Sequence, residues 1–196
     1  MSRTAKIERK TKETGIELSL DLDGSGYSNE TGVGFFDHML DLLARHANVG
    51  LEVKANGDLE TGSHHTVEDV GIVLGQAIDQ ALGDRAGICR YGSAVVPMDE
   101  ACAECALDIS GRALSVFRGD IPVTSIANYE TELTEEFFRA VAGGARMTLH
   151  IDIRYGSNVH HMIEATFKAF ARALRVAVSI DPDEKGVPST KGTLNG

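Results

Sequence analysis

The sequence is short of positive charge: 19 lysines and arginines face 29 aspartates and glutamates, for a net charge of −10. A field of that sign repels nucleic-acid backbones and anionic membrane surfaces, so neither is expected as a partner. It leaves room for a small anion held by a local basic cluster. Long apolar runs are also missing. No stretch approaches the roughly 18–20 residues of a membrane span. The basic opening from Met1 to Thr14 lacks the apolar segment of a secretory signal. Cysteines number only three, an odd count that suits a reducing cytoplasm better than a disulfide framework. Cys102 and Cys105 do spell C-x-x-C, but inside a run, 101–109, that reads as a strand, where positions i and i+3 face opposite ways. Ordinary burial is the expectation for both.

What is present is the balance of a folded globular chain, 42% apolar and 24% charged, which excludes fibrous and disordered classes. At about 150 residues per domain, the 196 residues fall between one domain and two. The seven histidines are clustered, with HHTVE at 64–68 and HHMIE at 160–164 standing 96 residues apart. A repeated unusual pattern at almost half the chain length points to an internal repeat.

More than the pentapeptides aligns. Each opens a helical pattern, with Val67, Val70, Leu74, Ala77, Ile78 and Ala81 in one and Ile163, Phe167, Phe170, Leu174 and Val178 in the other. Upstream, a helix begins at Asp37-His38 with Phe36, Met39, Leu40, Leu43 and Ala47 on one side; its counterpart runs from Glu135-Glu136 to Val141. His38 precedes His64 by 26 residues, and Glu136 precedes His160 by 24. Runs 50–55 and 147–153 alternate as strands, and LSLDLDG at 18–24 resembles ALDISG at 106–111. Each half therefore reads strands, helix, strand, helix, with the join near 84–92. Amphipathic helices need sheets to cover them, so the expected fold is an α+β sandwich with helices of both halves packed together. One domain, 1–196, would hold repeats at about 5–88 and 89–180 and a tail at 181–196.

On a helix, Glu68 lies one turn from His64 and His65, so either pair can converge on an ion. Neighbouring histidines project about 100° apart, and each is expected to serve a different ion. Glu68 and Glu164 add a carboxylate to each site, and His38 and Glu136 bring each to four ligands. Imidazole and carboxylate mixtures suit Mn, Fe, Co or Zn. Exposed polar helix starts would account for one such motif, and less readily for two at matched places. The other polar positions are weaker singly. Arg90 and Arg112 lie near strand ends, Lys168 one turn beyond Glu164, and His46 closes the first helix, all common surface or helix-end placements. Asp99-Glu100 reads as a turn or an acid/base pair. The tail carries no period; it is either an unstructured end or, through Ser189-Thr190-Lys191-Gly192, a grip for an anion.

The runs GFFDHMLDLLARHA (34–47), GSHHTVEDVGIVLGQA (62–77), PMDEA (97–101), HHMIEATFKAFARAL (160–174) and GVPSTKG (186–192) together resemble the imidazoleglycerol-phosphate dehydratase family in its monofunctional form. The resemblance spans about residues 5–194. It implies the sixth step of histidine biosynthesis, removal of water from imidazole glycerol phosphate to give imidazole acetol phosphate. It also implies two Mn2+ ions per active site, sites shared between neighbouring subunits, and a cytoplasmic homo-oligomer of 24 subunits. The implied fold has two four-stranded sheets sandwiching four helices, each half similar to the second domain of ribosomal protein S5. Carried over by motif, His38, His64, His65, Glu68, His160, His161 and Glu164 match the family's metal ligands. Where many relatives have His in an EHFF motif, this chain has Glu136 in EEFF, a carboxylate that can still ligate. Arg90, Arg112, Ser189 and Lys191, helped by Lys168 and His46, resemble the set that holds the substrate phosphate. Glu13, in KTKET, corresponds to a glutamate implicated in catalysis.

The implied chemistry wants such residues. The C2 proton of the substrate has no adjacent carbonyl to acidify it. A metal held by these ligands would acidify the ring and so favour loss of the C3 hydroxyl, after which a carboxylate would remove the C2 proton. Glu13 or Glu164 is the expected proton carrier, with Asp99 in reserve, while the arginines, Ser189 and Lys191 orient the phosphate. Two other readings share the same ligand pattern: a dinuclear-metal phosphohydrolase, and a non-enzymatic shell in which metal only joins subunits.

Overall fold

The computed structural model describes residues 2–194. The first half runs β1 (Thr4–Lys10), β2 (Thr14–Asp21), β3 (Tyr27–Glu30), α1 (Gly34–Ala47), β4 (Gly50–Gly57) and α2 (His64–Leu82). The second runs β5 (Tyr91–Met98), β6 (Ala101–Asp108), β7 (Leu114–Arg118), a short ribbon of β8 (Ser125–Ile126) and β9 (Tyr129–Glu130), α3 (Leu133–Ala145), β10 (Thr148–Tyr155) and α4 (Val159–Ala177). The strand orders are β1-β2-β4-β3 and β5-β6-β10-β7. In both sheets the last pair is parallel and the others antiparallel. The two halves therefore share one topology, and the duplication inferred from the motifs is a duplication of structure. The ribbon is the addition peculiar to the second half.

Alternation along the strands decides which face each sheet buries. In β2, Ile16, Leu18 and Leu20 point inward opposite Ala55, Val53 and Leu51 of β4, while Glu17 and Ser19 face out beside Lys54 and Glu52. Strands β1 and β5 are edge strands that bury little; β1, with only Ala5 and Ile7 among charged and polar neighbours, also carries little apolar signal. The inner faces are covered by helices: α2 lies on β1, β2 and β4, and α4 on β5, β6 and β10. Helix pairing crosses the halves, α1 with α4 and α2 with α3, and one continuous core draws on both sheets and all four helices.

The α2–α3 crossing is close because glycines line it. A Cβ added to Gly75 would lie 2.5 Å from the Val141 carbonyl oxygen, and one on Gly144 would lie 2.5 Å from that of Ile72. Packing at such a distance allows backbones to approach where no side chain intervenes. Helices α1 and α3 end at equivalent left-handed residues, Asn48 (φ 58°) and Arg146 (φ 51°). Cys102 and Cys105 are buried and unbridged, in the strand where alternation placed them. No helix among the described residues is long and apolar enough to cross a membrane.

Candidate active site

Helix α1 buries Phe35, Phe36, Met39, Leu40 and Leu43, which leaves His38 on its open side. Helix α4 starts where the Asn158 side chain accepts the backbone N–H of His160 (2.9 Å) and of His161, so both histidines fall in the first turn. Because α1 packs on α4, His38 of the first half meets His160 and Glu164 of the second. One ligand atom from each lies within 4.8 Å of the others. His160 Nε2 stands 3.1 Å and His38 Nε2 3.9 Å from Glu164 Oε2. Glu164 is buried, which pushes its carboxyl pKa up; the ammonium of Lys168 at 2.6 Å and the His160 ring outweigh that, and the net shift is down. It is thus an anion in a half-closed place, with imidazoles on one oxygen and a cation on the other. That donor set fits a divalent cation of the Mn, Fe, Co or Zn kind.

His46 sits at the far end of α1. Burial lowers its pKa, and the charges of Lys168, Arg172 and Arg45 lower it further. The α1–α4 seam therefore runs from ligands at one end to cations at the other.

The repeat-related seam differs. On α2, His64 Nε2 lies 3.5 Å from Glu68 Oε2, as expected one turn apart. Glu136, on α3, does not join them: its carboxylate accepts two hydrogen bonds from Arg139 Nη1, at 2.8 and 2.9 Å. Among the described residues only His38, His160 and Glu164 converge as a group of three.

The second histidine of each pair is held by a carboxylate that the sequence pattern did not assign. His65 Nδ1 is 3.1 Å from both oxygens of Asp58, and His161 Nδ1 is 2.7 Å from Glu100 Oε2. A carboxylate only accepts, so Nδ1 carries the proton in each ring and Nε2 is free to ligate. These hydrogen bonds raise the pKa of both histidines. Beyond each Nε2 stands a second acid, Glu13 Oε2 at 4.0 Å from His65 and Asp99 Oδ2 at 3.7 Å from His161. Glu13 belongs to the β1–β2 turn and Asp99 to the β5–β6 turn, so the two proton-transfer candidates occupy equivalent places in the repeat. The Glu13 turn is tied down by its own backbone. Thr11 Oγ1 accepts the Glu13 and Thr14 N–H groups at 3.1 and 2.9 Å, and the Asp58 N–H donates to the Glu13 carbonyl at 3.1 Å. A cavity of about 190 Å3 lies there, lined by Glu13, His65 and Glu68 with Arg9, Thr11 and Asp69 among its other walls.

The residues expected to hold an anion gather elsewhere. A cavity of about 510 Å3 is lined by Arg90 and Arg112 from the body and by Ser189, Thr190 and Lys191 from the tail, which folds back beside them, and no metal-ligand candidate lines it. Arg90 (φ 69°) is itself engaged, with Nε 2.7 Å from Asp108 Oδ1 and Nη1 2.8 Å from the Pro188 carbonyl, and the Asp108 bond raises its pKa. Among the described residues the Arg112 guanidinium donates only to the Ser110 carbonyl, at 3.4 Å. Lys168 does not line this pocket; it neutralises Glu164.

The family model for imidazoleglycerol-phosphate dehydratase matches residues 31–174. The chain belongs to that family. An imidazoleglycerol-phosphate dehydratase of Rhodopseudomonas palustris (strain TIE-1) is 57% identical over 196 residues, covering 99% of this chain and 100% of the relative. That of Acetivibrio thermocellus is 60% identical over 195 residues, with 99% and 100% covered. The crystal structure of the Staphylococcus aureus dehydratase superposes with a TM-score of 0.83 at 41% identity, over 91% of this chain and 99% of that one. That of the Pyrococcus furiosus protein gives 0.82 at 34%, over 95% and 99%. The two four-stranded sheets and four helices are those of the dehydratase fold. The family is one of metal-dependent hydro-lyases in histidine biosynthesis, and this chain is one of its enzymes.

Proposed function

We propose that the chain dehydrates imidazole glycerol phosphate to imidazole acetol phosphate at two Mn2+ ions per active site, in the cytoplasm. The convergence of His38 with His160 and Glu164 across the two halves carries this reading. His38, His160 and Glu164 would hold part of one ligand set, and His64, Glu68 and Glu136 the repeat-related part of the other. His65 and His161 complete them, each with Nε2 turned outward. When bound, a divalent cation supplies Lewis acidity toward a ring nitrogen of the substrate and so eases loss of the neighbouring hydroxyl.

The chain's own groups do the rest. Glu13, open to solvent on a pinned turn, takes the C2 proton. Glu164 is less available as a base because Lys168 and His160 already occupy its oxygens. Asp99 stands beside His161 as the equivalent acid on the second half and is the reserve carrier. Arg112, Ser189 and Lys191 hold the phosphate, Arg90 braces the pocket, and His46 and Lys168 extend the cationic end of the α1–α4 seam.

Sharing of sites between subunits is supported by how dispersed these groups are within one chain. His64 with Glu68, His65 with Glu13, and His161 with Asp99 form separate pairs, and none of these residues lines the cavity of Arg90 and Arg112. A symmetric homo-oligomer, with 24 subunits as in the family, brings one subunit's groups to its neighbour's. The test is direct: give metal-free protein imidazole glycerol phosphate, add Mn2+, and assay the products. The ketone is expected. Inorganic phosphate instead would mean a phosphohydrolase, and bound Mn2+ without turnover an inert shell.

A further inference from the structure

Arg85 lies between α2 and β5 and is 1% exposed, among the largest fully buried side chains of the molecule. An arginine is rarely buried so completely unless its charge and donors are matched. One side of the guanidinium, Nη2, bonds the Asp79 carboxylate, which also takes Arg146 Nη2 at 3.0 Å. The other side leaves the body of the fold altogether: Nη1 donates to the backbone carbonyl of Leu194, 2.5 Å away and 109 residues later in the chain. The Leu194 side chain is itself buried, at 5% exposure.

Gly111 makes the slot through which this end passes. Its φ is 77°, and a Cβ there would lie 1.6 Å from the Leu194 oxygen and 2.9 Å from Arg85 Nη1. The next residue is Arg112, of the anion pocket. Two further ties hold the tail upstream: the Gly87 N–H donates to the Gly186 carbonyl at 2.7 Å, and Arg90 Nη1 to that of Pro188 at 2.8 Å. Ser189, Thr190 and Lys191 thus hang between two arginine–carbonyl bonds, one at Pro188 and one at Leu194.

We propose that Arg85 is a positioning residue for the substrate phosphate, pinning the far end of the C-terminal segment so that Ser189 and Lys191 face Arg90 and Arg112. The proposal rests on the phosphate reading of that pocket. Its physical content is entropic: a segment fixed at both ends meets its ligand already ordered, whereas a segment fixed at one end must be ordered by the ligand. The effect falls on binding. Asp79 and Arg146 need no contact with Leu194 to join α2 to α3, so the Arg85–Leu194 bond serves the tail rather than the body.

The experiment compares four variants of the Mn2+-loaded full assembly. Deletion of residues 194–196 removes the anchored end and leaves the Arg85–Asp79–Arg146 set in place; Arg85→Met removes the pin; Lys191→Ala and Ser189→Ala test the pocket. Ordering two or three side chains costs enough that KM should rise about tenfold in the deletion and in Arg85→Met, with kcat within about twofold of the parent. Tryptic cleavage after Lys191 should accelerate in both. An unchanged KM in the deletion variant, with Lys191→Ala still raising it, overturns the role of Arg85. An unchanged KM in Lys191→Ala and Ser189→Ala together overturns the phosphate reading and this proposal with it. Should Arg85→Met fail to assemble, the deletion variant decides.

Discussion

Glu100 holds His161 from one side and the start of the His161 helix from the other. Its Oε2 accepts from His161 Nδ1 at 2.7 Å, while its Oε1 accepts the backbone N–H of Asn158 at 2.6 Å and of Ser157 at 3.1 Å. Ring orientation and helix entry are thereby set by one carboxylate. Asp58 also holds a ring in the first half, fixing His65 Nδ1 through its side chain, but its backbone N–H ties down the Glu13 turn rather than a helix start. Such outer partners of ligating histidines are worth about 10–100-fold in metal affinity. Glu100→Ala and Asp58→Ala should each weaken Mn2+ binding by that order, read by titration of the metal-free protein; unaltered affinity would show that the rings orient without them.

Glu13→Gln should lower kcat by about 10²–10⁴-fold, the range for loss of a general base, with metal content unchanged. Asp99→Asn should cost much less if Glu13 alone carries the C2 proton. Equal losses in the two variants would assign the acid and base steps to the two equivalent turns.

Arg139 holds the Glu136 carboxylate, at 2.8 and 2.9 Å, and would compete with a metal for it under the proposed ligand set. An exposed pair of this kind is worth up to about 1 kcal/mol, so under the proposed ligand set Arg139→Met should tighten Mn2+ binding at the Glu136 site up to about fivefold. Added salt should produce part of the same change in the parent protein, because it screens the pair. Titrations in which the variant and the parent superimpose would remove Glu136 from the ligand set.

Glu100 also predicts how the metal-free protein responds to acid. The hydrogen bond to His161, then those from the helix start, hold its carboxyl at about 2 instead of the ordinary 4.5. The unfolded chain takes up that proton first as pH falls, so the stabilising contribution is complete above about 4.5 and is lost as pH falls toward about 2. Tm of the metal-free parent should decline across that window. Glu100→Gln, measured by circular dichroism over the same range, should give a flatter curve.

Gly75→Ala places a methyl group against the backbone of α3, where Val141 O would be 2.5 Å away. Overpacking of that kind costs about 1–3 kcal/mol. A Tm lower by several degrees is expected, with kcat per assembled site little changed. A variant as stable as the parent would mean that α2 and α3 can separate without loss of packing.

Much of this protein is written locally. The four amphipathic helices and the HHxxE motifs that mark the repeat are each legible from spacings of one or two helical turns, where side-chain period alone places them: Phe36, Met39, Leu40 and Leu43 go inward, and His38 is therefore left outward. The edge strands were harder to read, because β1 buries little and its alternation carries almost no apolar contrast.

The sequence by itself determined where the paired histidines and their glutamates fall on the helices, which helix faces are buried, and that the chain is two copies of one plan. Only the tertiary structure decided that His38 meets the second half's helix, that Asp58 and Glu100 hold the paired histidines, that Glu13 and Asp99 are counterparts, and that Glu136 turns to Arg139. The physical reason is range. Periodicity and motif spacing act along the chain, whereas hydrogen bonds and ligand sets are decided at about 3–4 Å between segments far apart in sequence, and only the packing of α1 on α4 and of the turns against α2 and α4 brings those segments together.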